Sequence, residues 1–344
     1  FGTSIAVIND LNGDGVSEIV AGSPSTRDGG SYFVGAISVL SGSDGAEIYT
    51  VLGTRPNEIE ARTLFGENLI NVGDINGDQV DDIIVAASGI PADNESPEIG
   101  TITVISGSDG TLVQQIQSVD SVIEYGQALA ALGDVNGDII PDFAVLNEFN
   151  NSVNVLSGLD YSIIATIAAG IDSAFGESMD NAGDLNGDSV NDLVVGDYYG
   201  WDGSGTVGVY SGTNGSEVRT TGDYGGSAGS IVKNLGDLDG DGVPDYGTSG
   251  KRSGTVLTIS GATGELIHTI PGPQDYDSQS PAPTLSPIGD VDGDGFNDYV
   301  IGYYGHDLLS VVSSNGDWDN DGIGALTDPT PLPVLLPFPP TAPL

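Results

Sequence analysis

The stretch DINGDQVDD places Asp74, Asn76, Asp78 and Asp82 at positions 1, 3, 5 and 9 of one short loop, with a main-chain carbonyl at Val80 as a further donor. Every donor in this set is oxygen. That suits a hard cation of the calcium type, whereas zinc or copper would call for nitrogen or sulfur ligands. Crowded carboxylates repel one another unless protons or a cation neutralise them. Asp, Asn and Gly also build plain turns, so one such loop leaves both readings open.

The pattern is repeated. It returns as NDLNGDGVSE from Asn9, GDVNGDIIPD from Gly133, GDLNGDSVND from Gly183, GDLDGDGVPD from Gly236 and GDVDGDGFND from Gly289. The first acids are Asp10, Asp74, Asp134, Asp184, Asp237 and Asp290, spaced by 64, 60, 50, 53 and 53 residues. Periods of this size mark a repeat architecture, and a turn former with no ligand has no reason to recur in register.

The candidate ligands account for much of the acidity. Three carboxylates in each of the first four loops and four in each of the next two make 20 of the 50 Asp and Glu residues. With only 7 Lys and Arg, the formal charge of -43 argues against nucleic acid and anionic membranes as partners. Cysteine is absent, so calcium is the expected staple in place of disulfides. No stretch approaches the roughly 20 apolar residues of a membrane span. The chain opens on Phe1 without a signal-like segment and is expected to be a processed form. Cation loops in series fit millimolar calcium, which predicts an extracellular or cell-surface, secreted protein.

The elements that must hold these loops are strands. Short apolar runs flank each loop, SIAVI before and EIVAG after the first. A second hairpin recurs further on, as in AISVLSGSDGAEIYTV and TITVISGSDGTLVQQI. With 53 glycines and 18 prolines, helices are disfavoured. One repeat is thus a four-stranded antiparallel sheet, and such sheets bury both faces by radial packing. The expected fold class is all-β, a β-propeller with six repeats visible, over residues 1–316.

Phe1-Gly2, Phe65-Gly66, Tyr125-Gly126 and Phe175-Gly176 open four repeats, and VAGSP, VAASG and VVGDY follow their loops. Together with the Asp-x-Asn/Asp-x-Asp loops, the chain resembles the FG-GAP repeat family, best known from the propeller of integrin α subunits. Repeats five and six lack the aromatic-Gly opening. The resemblance implies a calcium-bearing propeller, usually seven-bladed, with metal loops on one rim and partner-binding loops on the other. Carried onto this sequence, the ligands of the first three loops are Asp10, Asn12, Asp14, Val16 and Glu18; Asp74, Asn76, Asp78, Val80 and Asp82; and Asp134, Asn136, Asp138, Ile140 and Asp142. Those of the last three are Asp184, Asn186, Asp188, Val190 and Asp192; Asp237, Asp239, Asp241, Val243 and Asp245; and Asp290, Asp292, Asp294, Phe296 and Asp298. The residue at position 7 of each set contributes its carbonyl. Position 6 is Gly in three loops but Gln79, Ile139 and Ser189 in the others. A need for positive φ there would make Ile139 a poor occupant.

A differently built loop, residues 317–328, carries Asp317, Asp319, Asp321, Ile323 and Asp328 at spacings closer to an EF-hand or thrombospondin type 3 loop. It brings the expected calcium complement to about six or seven ions. The Pro-rich tail, 329–344, reads as an extended linker or the remnant of a sorting segment. The sixth repeat has no obvious fourth strand, so residues 331–338, or a segment of another protomer, are also candidates to complete its open edge.

Loops between the second and third strands must emerge opposite the acidic loops. They carry Arg27, Tyr198, Tyr199, Trp201, Lys251, Arg252, Tyr303, Tyr304 and His306, with Arg55 and Arg62 in a nearby link. Aromatics and Arg favour recognition; equally, Tyr-Gly loops pack propeller tops. No Cys nucleophile exists, and the two histidines fall in an outer strand and a loop. The expected function is a non-catalytic extracellular calcium-binding propeller in cell-surface adhesion or protein assembly, with an extracellular protein, a glycan or neighbouring copies as partner. A lectin-like propeller, or the accessory propeller of a secreted polysaccharide-degrading enzyme, is the alternative.

Overall fold

The computed structural model describes residues 1–30, 32–54, 63–87, 100–117, 125–168, 174–198, 205–221, 228–273, 276, 280–293, 295–304, 306, 308–313 and 334–337. Two compact units divide the chain, Phe1–Ala168 and Ala169–Leu344.

In the first unit, β1 (Ile5–Ile8), β2 (Glu18–Gly22), β3 (Ala36–Leu40) and β4 (Glu47–Leu52) form one sheet in sequence order. β5 (Asn68–Gly73), β6 (Asp82–Ala87), β7 (Thr101–Ile105) and β8 (Leu112–Gln117) form the second. The third comprises β9 (Tyr125–Gly133), β10 (Asp142–Asn147), β11 (Ser152–Leu156) and β12 (Ile163–Ala168). The second unit repeats the scheme with β13 (Ala174–Gly183), β14 (Asp192–Tyr198), β15 (Gly205–Tyr210) and β16 (Glu217–Thr221). Its next sheet is β17 (Ile231–Gly236), β18 (Asp245–Ser249), β19 (Val256–Ile259) and β20 (Leu266–Ile270). The last is β21 (Thr284–Gly289), β22 (Asp298–Tyr303), β23 (Leu308–Val312) and β24 (Val334–Pro337). All pairings between these strands are antiparallel, and the fold is an all-β, six-bladed β-propeller.

The strand β24 comes from the Pro-rich tail. It pairs with β23 from Val311↔Val334 to Leu308↔Pro337, so the chain's own segment takes the edge of the sixth blade. Proline removes a donor from the ladder and is tolerated on such an outer strand.

Side-chain alternation explains the packing. In β6 all six residues are buried, because a central strand presents one set of side chains to each neighbouring blade. Ile83, Val85 and Ile105 pack with Val20, Ile37 and Val39 of the preceding blade. Ile84, Ile102 and Val104 pack with Leu129, Phe143 and Val145 of the next. The second unit does the same: Val194, Val207 and Val209 meet Val232 and Tyr246, and Val256 meets Leu285, Tyr299 and Ile301. Each such aliphatic side chain contributes about 1.5–3 kcal/mol on full burial. The fourth strands are largely exposed, as in LVQQIQ of β8.

Candidate metal centres

Every acidic loop joins the first strand of a blade to the second, and a kink positions it. In five blades the residue before the first loop Asp is Gly at positive φ, Gly73 and Gly236 for example at 89° and 77°. The ladder shifts register at this glycine, between Asn71 and Gly73 and between Asn234 and Gly236. This is the signature of a bulge that turns the strand out of the sheet. Asn71, Asn181 and Asn234 hold the bulge by accepting the Gly N–H at 2.8–2.9 Å.

Inside the loop the first Asp acts as an internal cap. Asp74 Oδ1 accepts from the N–H groups of Gly77 (2.6 Å) and Asp78 (3.1 Å), and Oδ2 from Gln79 (2.8 Å). Asp10, Asp134, Asp184, Asp237 and Asp290 do likewise at position 4, with 2.6–2.7 Å. Position 3 accepts from the N–H of position 5, as Asn76 does from Asp78 at 2.9 Å. Position 5 accepts from position 7, as Asp78 does from Val80 at 2.9 Å. This winding puts position 6 at positive φ in all six loops, including Gln79 (71°), Ile139 (71°) and Ser189 (68°).

The acid at position 9 has a separate task. Glu18, Asp82, Asp142, Asp192, Asp245 and Asp298 open the second strand of each blade and are buried. Asp82 accepts from the N–H groups of Ile75 and Asn76 at 3.0 Å, from Asn76 Nδ2 at 2.9 Å and from Gly107 N–H at 3.2 Å. Glu18 reaches Gly42, Asp142 reaches Gly158 and Asp245 reaches Gly261 in the same manner, at 2.8–2.9 Å. The acid therefore ties the loop to the turn between the third and fourth strands. That turn needs glycine: a Cβ at Gly107 would lie 1.9 Å from the Asp81 carbonyl oxygen, and one at Gly261 1.8 Å from that of Pro244.

Burial sets the electrostatics. It pushes Asp192 and Asp245 up to about 6, against the pull of the N–H groups of Leu185 and Leu238 among others, and it raises Asp82 and Asp142 as well. The exposed position 5 moves the other way. The Ser43 hydroxyl lowers Asp14, and the Val80 N–H lowers Asp78. Ser43 and Ser108 reach these carboxylates from the third-to-fourth-strand turn at 2.6 and 3.0 Å.

The donor sets fit a hard cation. Asp237, Asp239 and Asp241 each bring a carboxylate oxygen within 4.8 Å of the others, and so do Asp290, Asp292 and Asp298. Oxygens at 2.3–2.6 Å from one ion are separated by no more than about 5 Å. The N–H bonds leave room, since a carboxylate has about four lone-pair sites. Asp294 lies outside the described residues, as does the whole set Asp317, Asp319, Asp321, Ile323 and Asp328.

The expected recognition residues are dispersed in their environments. Arg27 lies over the Phe33 ring, 4.4 Å from its centroid. Lys251, Arg252 and Tyr304 are exposed and Tyr198 is half-buried. His306 stacks on Tyr276 with centroids 5.5 Å apart. Tyr303 does not belong to a surface: it follows Tyr299 and Ile301 on the inward face of β22, is buried in the core of that blade, and has its hydroxyl pushed up to about 12 by burial. Tyr199, Trp201, Arg55 and Arg62 lie outside the described residues. The turn contacts of Ser43, Gly107 and Gly261 and the bulge-holding asparagines were not anticipated; their signals are the recurring Ser-Gly after five of the third strands and the Asn-x-Gly-Asp before three loops.

Comparison with known proteins agrees with this architecture. A family model described as FG-GAP repeat matches residues 1–40. Integrin alpha-V of Gallus gallus is 25% identical over 214 residues, covering 57% of this chain and 20% of that protein. Integrin alpha-2 of Bos taurus is 27% identical over 213 residues, 57% of this chain and 17% of that protein. Integrin alpha-PS5 of Drosophila melanogaster is 32% identical over 155 residues, 42% and 14% of the two chains. The chain thus spans a fifth or less of these relatives. Among solved structures, the Dos1 propeller superimposes with a TM-score of 0.54 at 11% identity, covering 89% of this chain and 67% of that one.

Proposed function

We propose that this FG-GAP-repeat β-propeller is a non-catalytic, calcium-binding extracellular module that works in cell-surface adhesion or protein assembly. The observation that carries the proposal is the sixfold repetition of one loop geometry; in two of the loops three carboxylates bring oxygens within 4.8 Å of one another. Positions 1, 3, 5 and 9 would hold the ion, with the carbonyl at position 7, and the buried acid at position 9 would also anchor the loop to the sheet. Bound calcium supplies positive charge that turns carboxylate repulsion into cross-linking. The acidic loop at 317–328 is a further candidate site, between a propeller part over 1–316 and the tail that supplies β24.

Similarity to integrin α subunits supports an adhesion-type role outside the cell. No helix among the described residues is long and apolar enough to cross a membrane. The exposed Lys251, Arg252 and Tyr304 are the first candidates for partner contact.

Two measurements test the proposal together. Calorimetric titration should find about six calcium ions, and thermal unfolding should shift upward with calcium more than with magnesium. An adhesion assay on immobilised protein, with a glycan array in parallel, then separates protein from sugar ligands. Absence of calcium binding, with a melt indifferent to chelator, would refute the metal reading. Sugar binding without cell or protein binding would replace adhesion by a lectin function.

A further inference from the structure

Six Asn-Gly pairs occur in the sequence, and four of them stand at positions 3 and 4 of the acidic loops: Asn12-Gly13, Asn76-Gly77, Asn136-Gly137 and Asn186-Gly187. Asn214-Gly215 lies in the turn after β15, and Asn315-Gly316 falls outside the described residues. Asn-Gly is the dipeptide most prone to deamidation, because glycine has no Cβ to shield its nitrogen from the preceding carboxamide. The glycine N–H gives up its proton, the nitrogen attacks the asparagine Cγ, and the Cγ–Nδ2 bond breaks with loss of ammonia. Water then opens the succinimide at one of its two carbonyl carbons, leaving aspartate or isoaspartate. Water in and ammonia out balance the exchange of NH2 for OH, with no oxidant or reductant. All four loop asparagines are exposed to that water.

The folded loop opposes the first step. The N–H that must lose its proton is donated to the carboxylate at position 1: Gly13 to Asp10 and Gly137 to Asp134 at 2.7 Å, Gly77 to Asp74 and Gly187 to Asp184 at 2.6 Å. A carboxylate acceptor holds the proton on the nitrogen, and the loop's other carboxylates disfavour the anion that attack requires. The carboxamide is tied as well, because its Oδ1 accepts the position-5 N–H at 2.9–3.0 Å. Its Nδ2 is held unequally. Asn76 and Asn186 donate to the buried position-9 acid at 2.9 and 3.0 Å, Asn136 only at 3.5 Å, and Asn12 to the Ser41 hydroxyl at 3.3 Å. In the outer turn the Gly215 N–H goes instead to the neutral Ser211 carbonyl at 2.8 Å, and Asn214 is exposed.

We propose that Asn12, Asn76, Asn136 and Asn186 are self-modification sites, guarded by the wound loop and released when a loop opens. The aspartate product has a place prepared for it. Asp239 and Asp292 already stand at position 3 of the fifth and sixth loops, and Asp239 accepts the Asp241 N–H at 3.2 Å as Asn76 accepts that of Asp78. Conversion to aspartate therefore turns a three-carboxylate loop into the four-carboxylate kind. Isoaspartate inserts a methylene into the main chain, which throws the loop's N–H groups out of step with their acceptors. The guard is the loop's own hydrogen bonding and does not depend on bound calcium. It is strongest at Asn76 and Asn186, where all three polar groups are held.

The test incubates the whole protein at mildly alkaline pH, folded or unfolded in urea, and follows each asparagine by peptide mass spectrometry, with enzymatic methyl labelling to score isoaspartate. Chelator in both arms keeps the outcome separate from the calcium reading. In urea all five described Asn-Gly pairs should convert at similar rates. In the folded protein the four loop asparagines should convert at least ~tenfold more slowly than in urea, because only an opened loop reacts. Asn214 should lead them, and Asn12 and Asn136 should precede Asn76 and Asn186. Asn76→Asp should keep the circular dichroism of wild type. Loop asparagines that convert as fast folded as in urea, or ahead of Asn214, would overturn the guard. No conversion in urea would remove the sites, and an Asn76→Asp protein that does not fold would remove the aspartate product.

Discussion

Ile139 is the residue at which the loop geometry and the sequence conflict most. It occupies position 6 of the third loop at φ 71°, with 86% of its surface exposed. An L-residue pays about 1–2 kcal/mol in the left-handed region, and a β-branched one sits at the upper end. Substitution by glycine removes that strain and costs about 0.5–1 kcal/mol through the freer unfolded chain. The N–H that Ile139 donates to Asp134 Oδ2 at 2.8 Å is retained, and almost no buried apolar surface is lost. Ile139→Gly should thus stabilise by roughly 0.5–1 kcal/mol, or about 2 °C for a unit of this size. Gln79→Gly and Ser189→Gly, which relieve unbranched residues at similar φ, should be near neutral. The assay is thermal unfolding of the three variants and wild type, with calcium and with chelator. Because the loop is already wound by its own N–H bonds, the gain should appear in both conditions. A destabilised Ile139→Gly would refute the strain argument. A gain seen only with calcium would mean that the metal-free loop does not hold this φ.

Two further outcomes follow from the position-9 acids. Asp82→Asn replaces an acceptor facing three backbone N–H groups by an amide that offers hydrogens in part of the same space; it should cost about 3 kcal/mol in urea unfolding, with chelator present, and a change below ~0.5 kcal/mol would remove the proposed link between loop and turn. Asp192 and Asp245 lie at about 6 in the folded chain, above the usual carboxylate range near 3.9. The folded state then holds these protons more tightly, so chelated protein should gain stability as pH falls from 7 towards 4. With calcium the direction should reverse, because protons compete for the ligands; identical pH profiles with and without calcium would contradict it.

Much of the fold was legible because repetition multiplies weak local signals. The strand pairs flanking each loop and the Ser-Gly hairpins follow from alternation and turn chemistry, and the blades appear where those signals stand. The tail segment was legible for a different reason: an unpaired β23 edge demands a partner, and Val334–Pro337 is apolar chain close enough to supply it. Tyr303 was misjudged because alternation along β22 extends one residue beyond the apparent strand end, which turns its ring inward. The hydrogen bonds of Glu18 to Gly42 and of Ser108 to Asp78 span 24 and 30 residues. No local pattern shows such contacts; only the register of the intervening strands brings them together.

The two tiers of acids answer how a chain of such charge keeps its hairpins closed. The buried tier, at position 9, faces backbone N–H donors of its own loop and of the third-to-fourth-strand turn. Those bonds offset part of the desolvation that raises Asp82 and Asp142. They hold the loop against the third-to-fourth-strand turn whether or not an ion is present. The exposed tier, at positions 1, 3 and 5, is wound by N–H groups of its own loop, which fixes where its oxygens converge before any cation arrives. A cation entering such a loop meets ligands already ordered and loses little affinity to rearrangement. A bound metal would add cross-linking to a fold whose consecutive blades within each unit are already sealed by apolar contacts. The buried acid thus belongs to the architecture of the blade and, in the sixth loop, also to the candidate cation set, where Asp298 stands within 4.8 Å of Asp290 and Asp292.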